Sequence, residues 1–252
     1  MNVYIDCHCH ISSGEFDKDL EEVIESSKKA GLLAVLAVAE HFGEFEKIID
    51  LSKRFQGFIF PCLGVHPVQE VSPEQQRSAT PQDLDAALPI IEKYKDQLVG
   101  IGEVGLDFTP RFVSGDKDKE NQRQVLIRQV EIAKQLELPV NVHSRSAGRP
   151  TIHLLKELGV QNALLHAFDG KTAVAMDGKQ KLVKCLPLEN ICLETDSPAL
   201  GPEKQVRNEP QNIRVSAEFV AKVKGVSVER VMEVTTENAL RLFPKLRTKI
   251  RL

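Results

Sequence analysis

The chain has 252 residues, 42% of them hydrophobic and 27% charged, with a formal net charge of −3 and an isoelectric point near 6.2. That is enough apolar material for a globular domain of ordinary size, and it excludes both a disordered polyelectrolyte and a protein that grips nucleic acid through a broad basic field. The five cysteines, odd in number and without a C-x-x-C pair, exclude a disulfide framework and read as small buried hydrophobes in a reducing compartment.

The first stretch with chemical content is "IDCHCHI" at 5–11. A strand turns successive side chains to opposite faces, so Asp6, His8 and His10 line one face while Cys7 and Cys9 line the other. The two sets cannot share one metal. Asp6 and the two histidines also break any basic-then-apolar leader pattern, and the longest apolar run, "GLLAVLAVA" at 31–39, falls short of the roughly 18 residues a membrane span needs. A soluble intracellular protein is expected, nuclear or cytoplasmic, with no membrane contact and no obligate protein partner.

Further strands are read at 33–38, 58–63, 98–102, 139–143, 163–167 and 190–195, after the first at 3–7. Between them lie "LEEVIESSKKA", "FEKIIDLSKRF", "LDAALPIIEKY" and "ENQRQVLIRQVEIAKQLEL", in which apolar residues recur at three and four. Near-continuous Val/Ile/Leu strands alternating with amphipathic helices mean parallel βαβ units in one α/β domain over 1–252. The polar stretches 67–83 and 108–118 follow strands and fall on the carboxyl rim, where parallel sheets bind ligands. After 196 the pattern is helical, with "SAEFVAKVKG" and "SVERVMEVTTENALRLF" forming a terminal layer.

Four more candidate ligands close strands: Glu103, His143, His166 and Asp196. With His8 and His10 they make four imidazoles and two carboxylates, a set suited to Zn, Mn or, more weakly, Mg. The histidine face of the first strand therefore has partners and the cysteine face has none. Cys62, Cys185 and Cys192 read as packing residues, His41 as a loop residue and His153 as a helix-surface residue.

The chain resembles the TatD family of metal-dependent deoxyribonucleases, in particular its eukaryotic branch. The likeness is carried by "IDCHCHI", "GVHP" at 64–67, "GEVGLDF" at 102–108, "LPVNVHSRSA" at 138–147, "LLHAFDG" at 164–170, "LETDSPAL" at 193–200 and "TTENALRLF" at 235–243. The resemblance implies a TIM-like (β/α)8 barrel of the metal-dependent hydrolase superfamily and two divalent cations. Glu103 would bridge them, with His8, His10 and Asp196 completing one site and His143 and His166 the other. Related amidohydrolases use a modified lysine as the bridge, so the glutamate implies phosphodiester hydrolysis, here of DNA, with 3′ exonuclease action on single strands and incision at abasic sites. On this reading Asp196 is the proton acceptor beside Glu103. His66 and Arg145, just past strand ends, contact phosphate, with Arg207 a further candidate, while Asp6, Asp107 and Glu194 orient the ligands.

One departure stands out. Between "LLHAFDG" and "LETDSP" the family carries one more strand and loop, a segment of roughly twenty residues, where a barrel wants its eighth strand. Here "KTAVAMDGKQKLVKCLPLEN" stands instead, so a shortened form with one β/α unit missing is expected, with residues around Thr172 to Met176 pairing imperfectly. Two other readings use the same residues: a metal-dependent phosphatase or hydrolase of small substrates, and a catalytically impaired binding protein.

Overall fold

The structure, a computed structural model, describes residues 2–72, 75–168 and 175–250. Its strands are β1 (Tyr4–Cys9), β2 (Leu32–Val38), β3 (Ile59–Leu63), β4 (Val68–Ser72), β5 (Gln75–Ser78), β6 (Gly100–Asp107), β7 (Val140–Arg145) and β8 (Ala163–Leu165). The chain divides into two compact units, the first drawn from Met1–Ala37, Leu51–Phe60 and Asp169–Leu252, the second from Val38–Asp50 and Pro61–Phe168.

In the first unit β1 pairs in parallel with β2, from Tyr4 opposite Leu32 to Cys9 opposite Ala37. Every residue of β1 is buried, including the polar Asp6 and His8, as for a strand covered on both faces. The intervening helix α1 (Leu20–Lys29) buries Leu20, Val23, Ile24 and Ser27, one stripe at helical spacing. Glu21 and Glu22 in its first turn and Lys28 and Lys29 in its last complement the helix dipole. Gly31 follows at φ 92°, the left-handed position that ends the helix without a side-chain penalty.

The seventh strand expected at 190–195 is not one. Two backbone bonds do join this segment to β1, from Cys7 N–H to Leu193 O at 3.0 Å and from Asp196 N–H to His8 O at 3.0 Å. A regular parallel ladder would next direct the Thr195 N–H to the Cys7 carbonyl. That N–H donates instead to Asp6 Oδ1 at 3.0 Å. Asn238 Nδ2 takes the Ile191 carbonyl at 2.7 Å and Asn208 Nδ2 the Thr195 carbonyl at 2.8 Å. Side chains thus satisfy the groups a sheet would have used, and the ladder slips.

The segment proposed to pair imperfectly lies partly outside the described residues, at 172–174; from Ala175 the chain is helical, as α6 (Ala175–Cys185). The helical C-terminus expected from the pattern is present as α7 (Ile213–Lys224), α8 (Val228–Leu242) and α9 (Lys245–Lys249). Gly225, at φ 66°, ends α7, and Ser227 caps α8 by accepting from the Arg230 N–H.

The second unit pairs β3 with β6 through Cys62 and Gly100, β6 with β7 from Ile101 opposite Val140 to Asp107 opposite Arg145, and β7 with β8 from Val140 opposite Ala163. All three pairings are parallel. An antiparallel hairpin, β4 with β5, occupies the polar stretch after β3, where no strand was expected. Helix α4 (Asp116–Gln135) lays two buried glutamines, seven residues apart and so on one face, against this sheet. Gln129 bonds both backbone groups of Val65, accepting at 2.7 Å and donating at 3.0 Å. Gln122 does the same for Asp107 at 2.8 and 2.9 Å.

Candidate functional site

In the first unit, strand alternation brings His8 and His10 to the same side, and Asp196 joins them. His8 Nε2, His10 Nε2 and Asp196 Oδ1 stand 3.3 Å from one another on all three edges. A point equidistant from three atoms so spaced lies about 1.9 Å from each, close to the 2.0–2.1 Å of zinc–imidazole bonds. Three lone-pair donors facing one point suit a cation better than they suit each other. Asp196 reaches this position from a left-handed backbone, φ 56°, which takes it out of strand register.

Asp6 lies behind this triad, fully buried. Its carboxylate accepts from Thr195 Oγ1 at 2.6 Å, Thr195 N–H at 3.0 Å and His8 N–H at 3.3 Å. Burial pushes its pKa up to about 7, against the lowering by the Thr195 bonds. It thereby holds the backbone at His8 and at Thr195, next to Asp196. Glu194 is half-buried, its carbonyl 3.5 Å from the Ser216 hydroxyl. Cys7 and Cys9 face elsewhere: their thiols lie near Ile5 O and Ser197 O, and burial holds Cys9 well above the ordinary thiol range.

Arg207 is placed differently from the phosphate contact expected of it. Its guanidinium forms a two-pronged pair with Asp19 at 2.9 and 2.6 Å and also donates to Glu209 at 2.7 Å and to the Glu15 carbonyl at 2.6 Å. The Phe16 ring lies 4.8 Å beneath it. With four donors committed, Arg207 ties the loop after Asp196 to the chain before α1 and has little left for a substrate phosphate.

In the second unit Glu103 is the centre. Its Oε1 lies 2.7 Å from His143 Nδ1, 2.7 Å from His166 Nε2 and 3.5 Å from His66 Nε2. Glu103 itself is only 2% exposed. Glycines make room for it: a Cβ on Gly102 would come within 2.5 Å of Asn141 Cβ, and one on Gly105 within 1.9 Å of the His143 carbonyl oxygen. The "GIGEVG" pattern thus lets β6 approach β7 closely on both sides of the carboxylate.

His143 is held at both nitrogens, since Nε2 lies 3.1 Å from Asp107 Oδ2. Burial pulls its pKa down, but the bonds to Asp107 and Glu103 outweigh it and raise the value to about 9. The same contact helps keep Asp107 below its ordinary value despite burial. Asp107 thus holds the nitrogen of the His143 ring that faces away from Glu103. Two edges of the Glu103–His143–His166 triangle, at 2.7 Å, are shorter than any of the His8–His10–Asp196 one, and the third is 3.3 Å.

His66 also departs from the expected phosphate contact. It is buried, and burial lowers its pKa to about 4 against the pull of Glu103, so it is neutral at pH 7. Its ring Nδ1 is fixed by Val68, and its ligand atom lies within 4.8 Å of those of Glu103 and His143, a group able to hold a metal ion. Arg145 is exposed at the end of β7, two residues beyond His143, and no carboxylate among the described residues pairs with it. The sequence reading missed Gln122 and Gln129; their signal was a polar residue repeated at seven on the apolar face of α4.

A sequence model of the TatD related DNase family matches residues 5–180 and 172–244. The chain belongs to the TatD-related DNase family. A human relative named deoxyribonuclease TATDN3 is 65% identical over 96% of this chain and 95% of its own length. That alignment runs to 261 positions against a chain of 252 residues, so it sets residues of the relative opposite gaps in this chain. A Bacillus subtilis relative, the uncharacterized metal-dependent hydrolase YabD, is 29% identical over 94% of this chain and 98% of its own length.

Two solved structures share the fold: the TatD homolog YJJV of Escherichia coli, with TM-score 0.81 at 22% identity over 96% of this chain and 98% of that one, and a TatD family hydrolase of Entamoeba histolytica, with TM-score 0.78 at 22% identity over the same shares. The fold class is accordingly the TIM-like one expected, in a shortened form. Among the described residues of this TatD-family chain no helix is long and apolar enough to cross a membrane.

Proposed function

We propose that this chain is a divalent-metal-dependent deoxyribonuclease acting as one hydrolase domain over 1–252, a 3′ exonuclease on single-stranded DNA that also incises at abasic sites. The observation that carries this reading is the pair of donor sets, His8–His10–Asp196, in which His10 is half-buried, and the buried Glu103–His143–His166, each suited to one cation. The name of the human relative supports the substrate. Bound Zn, Mn or Mg would polarise a phosphoryl oxygen and lower the pKa of an attacking water.

The chain's own groups supply the rest. Asp196 accepts the proton of the attacking water through its carboxylate. Asp107 fixes the ring of His143, and Asp6 fixes Thr195 beside Asp196. Arg145, exposed and engaged by no carboxylate among the described residues, donates to a substrate phosphate. Glu194 orients from half-burial.

Metal content by mass spectrometry, followed by digestion of a 3′-labelled single strand with and without chelator, tests the reading; nitrophenyl phosphate is run in parallel. Chelator-sensitive shortening of the strand is expected, abolished by Asp196→Asn with the fold retained. Turnover of nitrophenyl phosphate alone would assign the chain to small-substrate hydrolysis, and bound metal without turnover of either would make it a binding protein.

A further inference from the structure

Of the eleven phenylalanines and two tyrosines, Phe42 is the one aromatic side chain that stands exposed among the described residues, at 46%. It opens the short turn Phe42–Glu44 at the carboxyl end of β2. The turn is braced from within. Glu44 Oε2 accepts from the Glu40 N–H at 2.8 Å and lies 3.2 Å from His41 Nδ1, so a single carboxylate closes the loop on itself.

The same turn is tied to the metal-suited cluster of the second unit. The Glu40 carbonyl accepts from the His66 N–H at 3.2 Å and from Gln69 Nε2 at 2.9 Å, and His66 Nε2 lies 3.5 Å from Glu103 Oε1. The Phe42 ring stands hydrated on this braced turn, two residues from the anchor at Glu40. The charge balance sharpens the point. A chain of net charge −3 gains little from a general field on a polyanion, so a single strand must be held by specific contacts, and unpaired bases stack on aromatic rings whatever their sequence.

We propose that Phe42 is a stacking platform for an unpaired nucleobase of the DNA strand. This base-binding subsite rests on the deoxyribonuclease reading above, which is tested separately by strand digestion. The chain contains no tryptophan, so Phe42→Trp introduces the only indole of the protein, excited selectively at wavelengths that the two tyrosines do not absorb. Placed with Asp196→Asn to prevent turnover, and with Mn²⁺ present, it is titrated with oligothymidylate and with an abasic strand of equal length, binding being followed independently by polarisation of an end label.

Quenching by oligothymidylate and not by the bound abasic strand supports the platform. In the otherwise unaltered protein, Phe42→Ala should raise KM for single-stranded DNA by about fivefold to a hundredfold, with thermal midpoint and metal content unchanged. Oligothymidylate that binds without altering the emission, together with an unchanged KM in Phe42→Ala, overturns the inference while leaving the nuclease reading intact. An emission shift that follows protein concentration in the absence of DNA also overturns it, assigning the ring to contact between copies. Failure of the wild-type chain both to bind and to digest the strand overturns the two together.

Discussion

His143 shows how single residues set the chemistry of this protein. Its two ring nitrogens are held by Glu103 and Asp107, at 2.7 and 3.1 Å, so its ring orientation depends on a carboxylate outside the candidate donor set. Asp107→Asn should weaken metal binding by about 10–100-fold, read by competition with a chromophoric chelator. The pH dependence has a definite sign. In chelator-treated protein His143 has a pKa raised from 6.5 to about 9, so its stabilising contribution is complete below 6.5 and is lost as pH rises toward 9. Asp6, raised from 3.8 to about 7, acts in the same direction at lower pH, and His66, lowered from 6.5 to about 4, acts oppositely below 6.5. Between about 7 and 9 the melting temperature of metal-free protein should therefore fall; a rising profile in that interval would contradict the assigned protonation of His143.

At the scale of elements, the approach of β6 to β7 is what lets Glu103 and His143 meet. A Cβ at Gly105 would sit 1.9 Å from the His143 carbonyl oxygen, and the residue holds φ 149°, so no side chain fits without parting the strands. Gly105→Ala should destabilise by at least the ~1–3 kcal/mol typical of overpacking and remove metal binding with it, measured by urea denaturation and metal content. Much of this arrangement was legible in advance. Alternation along β1 put His8 and His10 on one face, and reading for strand ends picked out Glu103, His143 and His166, although β6 runs on past Glu103 to Asp107 and β7 past His143 to Arg145. The segment 190–195 misled because "ICLETD" is apolar enough to read as a strand, whereas side chains of Asp6, Asn208 and Asn238 satisfy its backbone instead. The hairpin of β4 and β5 left no alternation to read in "VQEVS" and "QQRS". Sequence does not reveal burial or which acids a cation will find, so neither the engagement of Arg207 by Asp19 and Glu209 nor the burial of His66 could be read in advance.

For the whole molecule, cation binding and folding are linked. Ligand at a hundredfold its Kd adds about 2.7 kcal/mol, which for a chain of this size is roughly 5–11 °C in melting temperature. Chelation should therefore lower the melting temperature by that order and restored Mn or Zn should recover it, in a calorimetric scan; a midpoint indifferent to chelator would mean that the buried imidazoles and carboxylates hold no cation. The slipped ladder beside β1 bears on this experiment in its own way. The Thr195 amide proton rests on the carboxylate of Asp6 and on no backbone carbonyl, so its exchange with deuterated solvent reports on one side chain and not on the fraying of a sheet. A single resonance thereby becomes a clock for the segment that delivers Asp196, readable without substrate and without turnover.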